Sequence, residues 1–209
     1  MYCILISGIP AAGKSTIARR ISERLNLPVL SKDDIKEILF DQIGFESRAE
    51  KVKLGTVGME IMYYAAAQLM KSGIPFILEN NFENASKEGL TRLLRQYDYS
   101  ALTVTLTGDY EAIYRRFLER NISSDRHRGH VVNDCYPEKQ PHTDAELLAS
   151  TISLQQFIDG IRARGFDTFI GDKDRIIVDT TDFSNVNFEE LLIRIDRWRK
   201  AHMPQLNLI

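Results

Sequence analysis

Short apolar runs alternate with longer segments of helical periodicity along most of this chain. Five runs predict β-strands, at residues 2–7, 28–31, 75–79, 101–107 and 175–179. Most of them lack the polar alternation of a half-exposed strand, which is typical of a parallel sheet covered on both faces. Their alternation with helical segments predicts βαβ units with right-handed crossovers, and therefore an α/β fold.

Between these runs, apolar residues recur at intervals of three and four, which predicts amphipathic helices. The clearest patterns lie at residues 17–25, 35–39, 90–97 and 188–198. Asn187 and Glu190 have capping-box spacing, which predicts the start of the last helix. A longer pattern at residues 47–71 is interrupted by Gly55 and Gly58, and we expect these glycines to bend it.

The segment of residues 121–143 departs from this rhythm. It is polar, contains two prolines and several arginines and histidines, and has no apolar period. Loops of this length inside a domain are usually functional or disordered, so the segment predicts a mobile lid over an active site. A zinc cluster of His127, His130, Cys135 and His142 is an alternative. Its single thiol and irregular spacing favour solvated lid side chains instead.

Length, composition and charge narrow the class of protein. We expect one domain over residues 1–209, with 44% hydrophobic and 27% charged residues typical of a globular protein. The net charge of -2 gives no general attraction to nucleic acid, so a nucleic acid is expected only as an end-group substrate. Cys3 and Cys135 form no metal or redox motif, and no apolar stretch resembles a signal peptide or membrane span. These features predict a cytoplasmic protein without a membrane partner.

A phosphate-binding loop follows the first predicted strand and precedes the first helix. Residues 8–15 match the pattern G-x-x-x-x-G-K-[ST] in this strand–loop–helix context. We expect seven residues of this region to bind ATP: Gly8, Ala11, Ala12, Gly13, Lys14, Ser15 and Thr16. Lys14 supplies a charge for the β and γ phosphates and counts as catalytic, and the Ser15 hydroxyl is a predicted Mg²⁺ ligand.

Polar residues also follow the next three strands. They are Asp33 and Asp34 after the second strand, Glu79 and Asn81 after the third, and Arg116 and Arg120 after the fourth. Ligands of an open parallel sheet gather at the carboxyl ends of its strands. We therefore expect all three groups to face the bound phosphates.

Together with the P-loop, these residues resemble the P-loop kinases that include 5′-hydroxyl polynucleotide kinases, zeta toxins and chloramphenicol phosphotransferases. The resemblance extends over nearly the whole chain. It implies a three-layer P-loop fold, with a five-stranded parallel sheet in the order 2-3-1-4-5 and a lid insertion. It also implies Mg²⁺-assisted transfer of the γ-phosphoryl group of ATP to a hydroxyl group of an acceptor.

The resemblance gives Asp33 the central catalytic role. In polynucleotide kinases the first Asp of such a pair accepts the proton of the attacking hydroxyl, and Asp33 is also predicted to lie at the metal. Lys36 stands on the substrate side, where those kinases have arginine. Since lysine lacks the bidentate fork of arginine, a nucleic-acid 5′ end becomes a less secure substrate. Helix capping is the alternative role for Asp33 and Asp34, because Ser31 and Asp34 have capping-box spacing.

The remaining site residues are predicted in the same way. Glu79 follows a buried run and is expected to emerge near the P-loop, where it could hold a magnesium-bound water, while Asn81 corresponds to a substrate-side asparagine. The alternative for both is a polar strand exit. Thr180 occupies the place of the adenine loop of these kinases, or is simply a turn residue.

Arg116 and Arg120 are four residues apart on one helix and share a face. We predict that they bind ATP or the transferring phosphoryl group and neutralise its charge. The alternative is a solvated charged face.

The motifs that are missing bear on the function. A GTPase switch is disfavoured because residues 172–175 do not form the guanine motif N-K-x-D and no D-x-x-G follows the third strand. A regulatory nucleotide-binding protein without turnover is the other alternative. The full set of predicted catalytic residues favours an ATP-dependent kinase whose hydroxyl acceptor is a small molecule or a nucleotide-like compound.

Overall fold

A parallel sheet of five strands forms the centre of the computed structural model, which describes residues 1–202. The strands are β1 (Tyr2–Gly8), β2 (Val29–Ser31), β3 (Phe76–Glu79), β4 (Ser100–Thr107) and β5 (Asp174–Asp179). Their order in the sheet is β2-β3-β1-β4-β5, and every neighbouring pair is parallel. The predicted fold class and strand order are therefore confirmed.

Helices cover both faces of the sheet. Those of the described residues are α1 (Lys14–Leu25), α2 (Lys32–Ile43), α3 (Arg48–Lys71), α4 (Lys87–Tyr97), α5 (Tyr110–Asn121), α6 (Arg128–Val131), α7 (Asp144–Ser150), α8 (Leu154–Arg164) and α9 (Phe188–His202). β1 is buried along its whole length and divides the core. Ile4 and Ile6 pack with α1, α5, α8 and α9, while Cys3 and Leu5 pack with α3 and α4. No helix within residues 1–202 is both long and apolar enough to cross a membrane.

The helix α3 continues through both of its glycines instead of being interrupted by them. A Cβ on Gly58 would lie 3.1 Å from Cγ of Lys36, so the glycine leaves room for α2 to pack closely against α3. Gly55 likewise faces Lys36, whose Cε is 3.8 Å from the position of an added Cβ. These glycines thus let two helices approach each other and place Lys36 between them.

Residues 121–143 pack against α2 and α3. Val132 joins a small apolar cluster with Phe40, Phe45, Leu54 and Leu147. The segment contains the short helix α6, and the imidazole of His130 within it is only 4% exposed. The expectation that the histidines here are solvated is therefore wrong for His130, because Phe40 of α2 packs edge-on against its imidazole at 5.5 Å between ring centroids and Glu37 forms a hydrogen bond with it.

Candidate active site

The P-loop turns tightly between β1 and α1. Gly8, Ala11 and Gly13 all have positive φ angles, of 129°, 64° and 88°. A Cβ on Gly8 would lie 2.1 Å from the carbonyl oxygen of Leu106 on β4, so only glycine fits there. The loop conformation is thus fixed by the neighbouring strand as well as by its own glycines.

The N-terminus of α1 faces the interior of this loop. The helix begins at Lys14 without a side-chain cap at Gly13. Within residues 1–202, the N–H groups of Lys14, Ser15 and Thr16 have no hydrogen-bond acceptor. Free N–H groups at the positive end of a helix dipole form an anion site.

Lys14 is buried beneath the loop. Its ammonium group donates a hydrogen bond of 2.9 Å to the carbonyl oxygen of Ile9. Burial, with a smaller effect of the Arg120 guanidinium, lowers the pKa of Lys14 to about 8, although Glu79 acts in the opposite direction. A buried cation of this kind gains most from an anionic ligand.

Asp33 lies among cations in the first turn of α2. Its carboxylate is 3.7 Å from Nζ of Lys36 and 3.6 Å from a terminal nitrogen of Arg126. Burial acts to raise the pKa of Asp33, but the neighbouring His130, and then Lys36, Arg126 and Lys14, hold it well below its usual range. The carboxylate is therefore ionised at neutral pH and able to accept a proton or a hydrogen bond.

Helix capping does not explain Asp33. The N-cap of α2 is Ser31, whose hydroxyl accepts a hydrogen bond of 3.3 Å from the N–H of Asp34. The side chain of Asp33 is 45% exposed and lines the same cleft as the P-loop. Ser31, and not Asp33, therefore caps α2, and the Asp33 carboxylate remains available for a ligand.

Glu79 and Asn81 reach this cleft from the end of β3. The Glu79 carboxylate is nearly inaccessible and accepts a hydrogen bond of 2.9 Å from the hydroxyl of Ser31. Burial raises the pKa of Glu79, and Lys14 counteracts it. The carbonyl oxygen of Asn81 accepts from the N–H of Gly8 at 3.3 Å and the hydroxyl of Ser7 at 3.0 Å. The Asn81 backbone therefore holds the start of the P-loop, a role that its side-chain chemistry did not indicate.

Three arginines close the opposite side of the cleft. Arg116 and Arg120 come from α5, and Arg126 comes from the 121–143 segment. The Nε atom of each is buried and has no acceptor among the described residues. Burial, with Arg126 next to it, lowers the pKa of Arg120 to about 10. Buried donors without partners are costly, and the three arginines that carry them line a cleft of about 630 Å³, which indicates an anion site.

Arg126 is a site residue that the sequence analysis includes only as part of the predicted lid. Its side chain is 17% exposed, and a terminal nitrogen lies 3.6 Å from the Asp33 carboxylate. No motif surrounds it, so only the packing of residues 121–143 against α2 reveals its position.

Thr180 does not line the cleft. The residue is fully buried, and its hydroxyl donates a hydrogen bond of 3.1 Å to the carbonyl oxygen of Thr107. Its own carbonyl oxygen accepts from a terminal nitrogen of Arg116. The structure therefore does not support the predicted adenine contact of Thr180, and it indicates instead that Thr180 positions Arg116.

The donor groups of the cleft fit Mg²⁺ better than zinc. The described part of the chain contains no cluster of three His, Cys, Asp or Glu side chains suited to a metal ion. His127 and His130 are hydrogen-bonded to Asp41 and Glu37, at 3.0 and 2.9 Å. Ser15 is exposed at the cleft, and a single hydroxyl with phosphate oxygens is a usual Mg²⁺ environment.

Comparison with solved structures places this architecture among kinase folds. A presumed kinase of Chloroflexus aurantiacus superposes with a TM-score of 0.71 at 22% identity, over 97% of each chain. A sugar kinase of Janibacter has a TM-score of 0.56 at 14% identity, over 96% of this chain and 95% of that one. A shikimate kinase of Bacteroides thetaiotaomicron superposes with a TM-score of 0.50 at 14% identity, over 95% of this chain and 98% of that one.

Sequence comparison gives the family. No functionally curated protein matches the chain. Residues 3–134, which include the P-loop, the acidic pair of α2, the arginines of α5 and Arg126, match the family model AAA_33, described as an AAA domain. The match covers more than half of the chain, and the sheet order is that of P-loop kinases. The protein belongs to this AAA domain family and has its P-loop kinase-like fold.

Proposed function

We propose that the protein is an ATP-dependent kinase that transfers the γ-phosphoryl group to a hydroxyl group of an acceptor. The observation that carries this proposal is the set of three buried, unpartnered arginine Nε groups opposite the P-loop. They surround the same cleft as an ionised Asp33. The ionised carboxylate supports transfer, because a kinase needs a group beside the phosphates that accepts the hydroxyl proton of the acceptor.

The P-loop is proposed to hold the phosphates of ATP. Free N–H groups at residues 14–16 bind phosphate oxygens, and the ammonium group of Lys14 adds positive charge beside them. Ser15, with Asp33 nearby, would hold Mg²⁺. When bound, Mg²⁺ neutralises phosphate charge and orients the leaving group.

Asp33 is proposed to act on the acceptor. Its carboxylate accepts the hydroxyl proton as the acceptor oxygen forms a bond to the γ-phosphorus atom and the bond between that atom and the β–γ bridging oxygen breaks. ADP leaves with the electron pair of the broken bond, and Asp33 later releases the proton to water. Lys36 keeps the carboxylate ionised and in place, at 3.7 Å.

Arg116, Arg120 and Arg126 are proposed to neutralise the charge of the phosphoryl group during transfer. All three side chains line the cleft, and their Nε groups have no acceptor within residues 1–202, so the guanidinium groups retain unused donor capacity for a phosphoryl group bound there. Because Arg126 belongs to the 121–143 segment, we also propose that this segment is a lid whose position completes the site.

The test is phosphoryl transfer to a panel of hydroxyl compounds, followed by ³¹P NMR with ATP and Mg²⁺. The panel covers polyols, sugars, hydroxy acids, nucleosides and 5′-hydroxyl oligonucleotides, which includes the acceptor class of the polynucleotide kinases. We expect a phosphate ester with at least one class and none with Lys14→Ala. ATP binding without ester formation across such panels, in a protein that keeps its fold, would contradict the kinase proposal and favour a regulatory role.

A further inference from the structure

A second cavity, of about 790 Å³, opens directly beside the phosphate cleft. Residues of α2, α3, α4 and the 121–143 segment enclose much of it. The linings of the two spaces share five residues, namely Lys36, Phe117, Arg120, Arg126 and His130. A molecule in this cavity therefore lies next to the cations that surround Asp33.

Positive charge dominates the lining of this cavity. Eight of the lining residues are Lys or Arg, and three are Glu. Glu83 is already bound by Arg164, which donates two hydrogen bonds of 2.7 and 3.1 Å to its carboxylate. Glu60 and Glu88 are exposed side chains. Lys36 and Arg126 are paired with Asp33. Within residues 1–202 the other five cations of the lining have no carboxylate within 4.0 Å: Lys32, Arg48, Lys51, Arg92 and Arg120.

Lys32 is the cation that is hardest to explain without a ligand. It lies in the first turn of α2, where a positive charge opposes the helix dipole, and one turn before Lys36 on the same face. Burial lowers the pKa of Lys32, and Lys36 acts in the same direction. Among residues 1–202, no carboxylate lies within 4.0 Å of its ammonium group.

The rest of the wall suits the carbon skeleton of a small molecule. Val52, Met59, Tyr63 and Ile152 contribute apolar surface. The Tyr63 hydroxyl donates a hydrogen bond of 3.0 Å to the carbonyl oxygen of Ser86, which leaves the ring for ligand contact. The volume lies in the range of roughly 300–1,000 Å³ that is usual for small-molecule pockets.

We propose that the phosphoryl acceptor is a small hydroxyl compound that carries a phosphate or carboxylate group of its own, and that Lys32 binds this group. The inference rests on the proposed kinase function and names the substrate class of the same site. Lys32 lines the second cavity, Asp33 lines the adjoining phosphate cleft, and Lys36 belongs to both linings. A molecule whose anion is bound at Lys32 therefore extends past Lys36 towards the carboxylate of Asp33. A neutral acceptor would leave Lys32 without an anion, because the nearest carboxylate of α2, that of Asp33, is paired with Lys36 and Arg126.

The test is isothermal titration of the full chain with its P-loop saturated by ADP and Mg²⁺, so that added anions cannot enter that loop. Ribose 5-phosphate and glycerate supply the two kinds of anion, and ribose and glycerol are their neutral counterparts. We expect at least one anion to bind about tenfold or more tightly than its counterpart. Lys32→Gln should lower that affinity about tenfold, whereas Lys53→Gln, an exposed lysine of α3, should not change it.

Three other results of these titrations would each overturn a different part of the proposal. Equal affinity for charged and neutral counterparts, or an anion preference that survives in Lys32→Gln, overturns the anion site. A short 5′-hydroxyl oligonucleotide that binds more tightly than both small anions overturns the small-molecule acceptor. Failure of the wild type to bind ADP or ATP overturns the kinase function itself, and this failure is seen before any acceptor is added.

Discussion

The P-loop and the 121–143 segment both reach the cleft around Asp33, but different interactions position them. The P-loop consists of contiguous residues whose backbone N–H groups and positive φ angles make the anion site. The 121–143 segment is held by side chains from distant parts of the chain. Lys51 of α3 donates to the carbonyl oxygens of His130 and Val132, at 2.7 and 2.5 Å.

This difference shows which parts of the site depend on local structure. A site made from backbone groups tolerates many side chains, provided that the few positions with positive φ are respected. A segment held by ion pairs and by Lys51 depends on each partner separately. The following variants separate the two cases, from the largest expected effect to the smallest.

The largest effect is expected from Lys14→Ala. Removing the only lysine of the P-loop should lower phosphoryl transfer by roughly 10³-fold or more, because transition-state charge loses a preorganised cation. Circular dichroism should show an unchanged fold, since the Ile9 carbonyl oxygen loses the Lys14 donor but keeps the hydrogen bond from the N–H of Ala12. Lys53→Ala is the control, and equal activity of the two variants would contradict the assignment of the P-loop.

Asp33→Asn should lower transfer by roughly 10²-fold or more, because asparagine keeps the size and hydrogen bonding of the side chain but cannot accept the proton. The cap of α2 is Ser31, so the melting temperature should stay within a few degrees of wild type. Asp34→Asn, an exposed neighbour, should retain more activity. If Asp34→Asn loses more phosphoryl transfer than Asp33→Asn, the catalytic base is Asp34 instead.

Arg126→Lys tests whether the 121–143 segment belongs to the catalytic site. We expect a loss of about tenfold or more in kcat with little change in the KM for ATP, because lysine keeps the charge but not the Nε donor. Arg115→Lys, at an exposed position of α5, is the matched control. An unchanged kcat for Arg126→Lys would remove the segment from the proposed mechanism.

Lys51→Met should loosen the segment without touching the P-loop. The variant loses hydrogen bonds to two carbonyl oxygens and to the Asn133 side chain. We expect amide hydrogen exchange in residues 128–133 to accelerate about tenfold, with ATP affinity within about twofold of wild type. Bound ATP analogue and acceptor should restore part of the protection. Exchange that stays as slow as in wild type would show that the apolar cluster alone holds the segment.

The smallest effect concerns an ion pair inside the segment. Hydrogen bonds from Arg128, and then from the backbone and side chain of His142, lower the pKa of Glu138 from 4.5 to about 2. Its stabilising contribution is therefore complete above pH 4.5 and is lost as pH falls towards 2. Glu138→Gln should lower the free energy of unfolding by about 1 kcal/mol at pH 6, and the difference from wild type should shrink on acidification. If the difference in unfolding free energy between Glu138→Gln and wild type does not change with pH, this account is wrong. Glu119→Gln, at an exposed position of α5, is the control.

Features that depend on neighbours in sequence could be predicted, and features that depend on distant contacts could not. The strands have buried apolar runs, and the P-loop has its glycines and lysine in a fixed spacing, so both were predicted. The burial of Thr180 depends on its pairing with Thr107, more than 70 residues away. Arg126 and Gly58 likewise acquire their roles only when α2 packs on the 121–143 segment and on α3.

The unpartnered Nε groups of Arg116, Arg120 and Arg126 also bear on how long the protein survives in a cell. Each buried donor without an acceptor costs about 1–3 kcal/mol in the free protein, and a bound anion removes that cost. Under the proposed function, ATP therefore stabilises the fold as well as supplying a phosphoryl group, by about 2.7 kcal/mol at a concentration 100 times its Kd. When cellular ATP falls, a larger fraction of molecules unfolds and becomes open to proteases. The abundance of this protein would then follow the energy supply of the cell without any dedicated regulator.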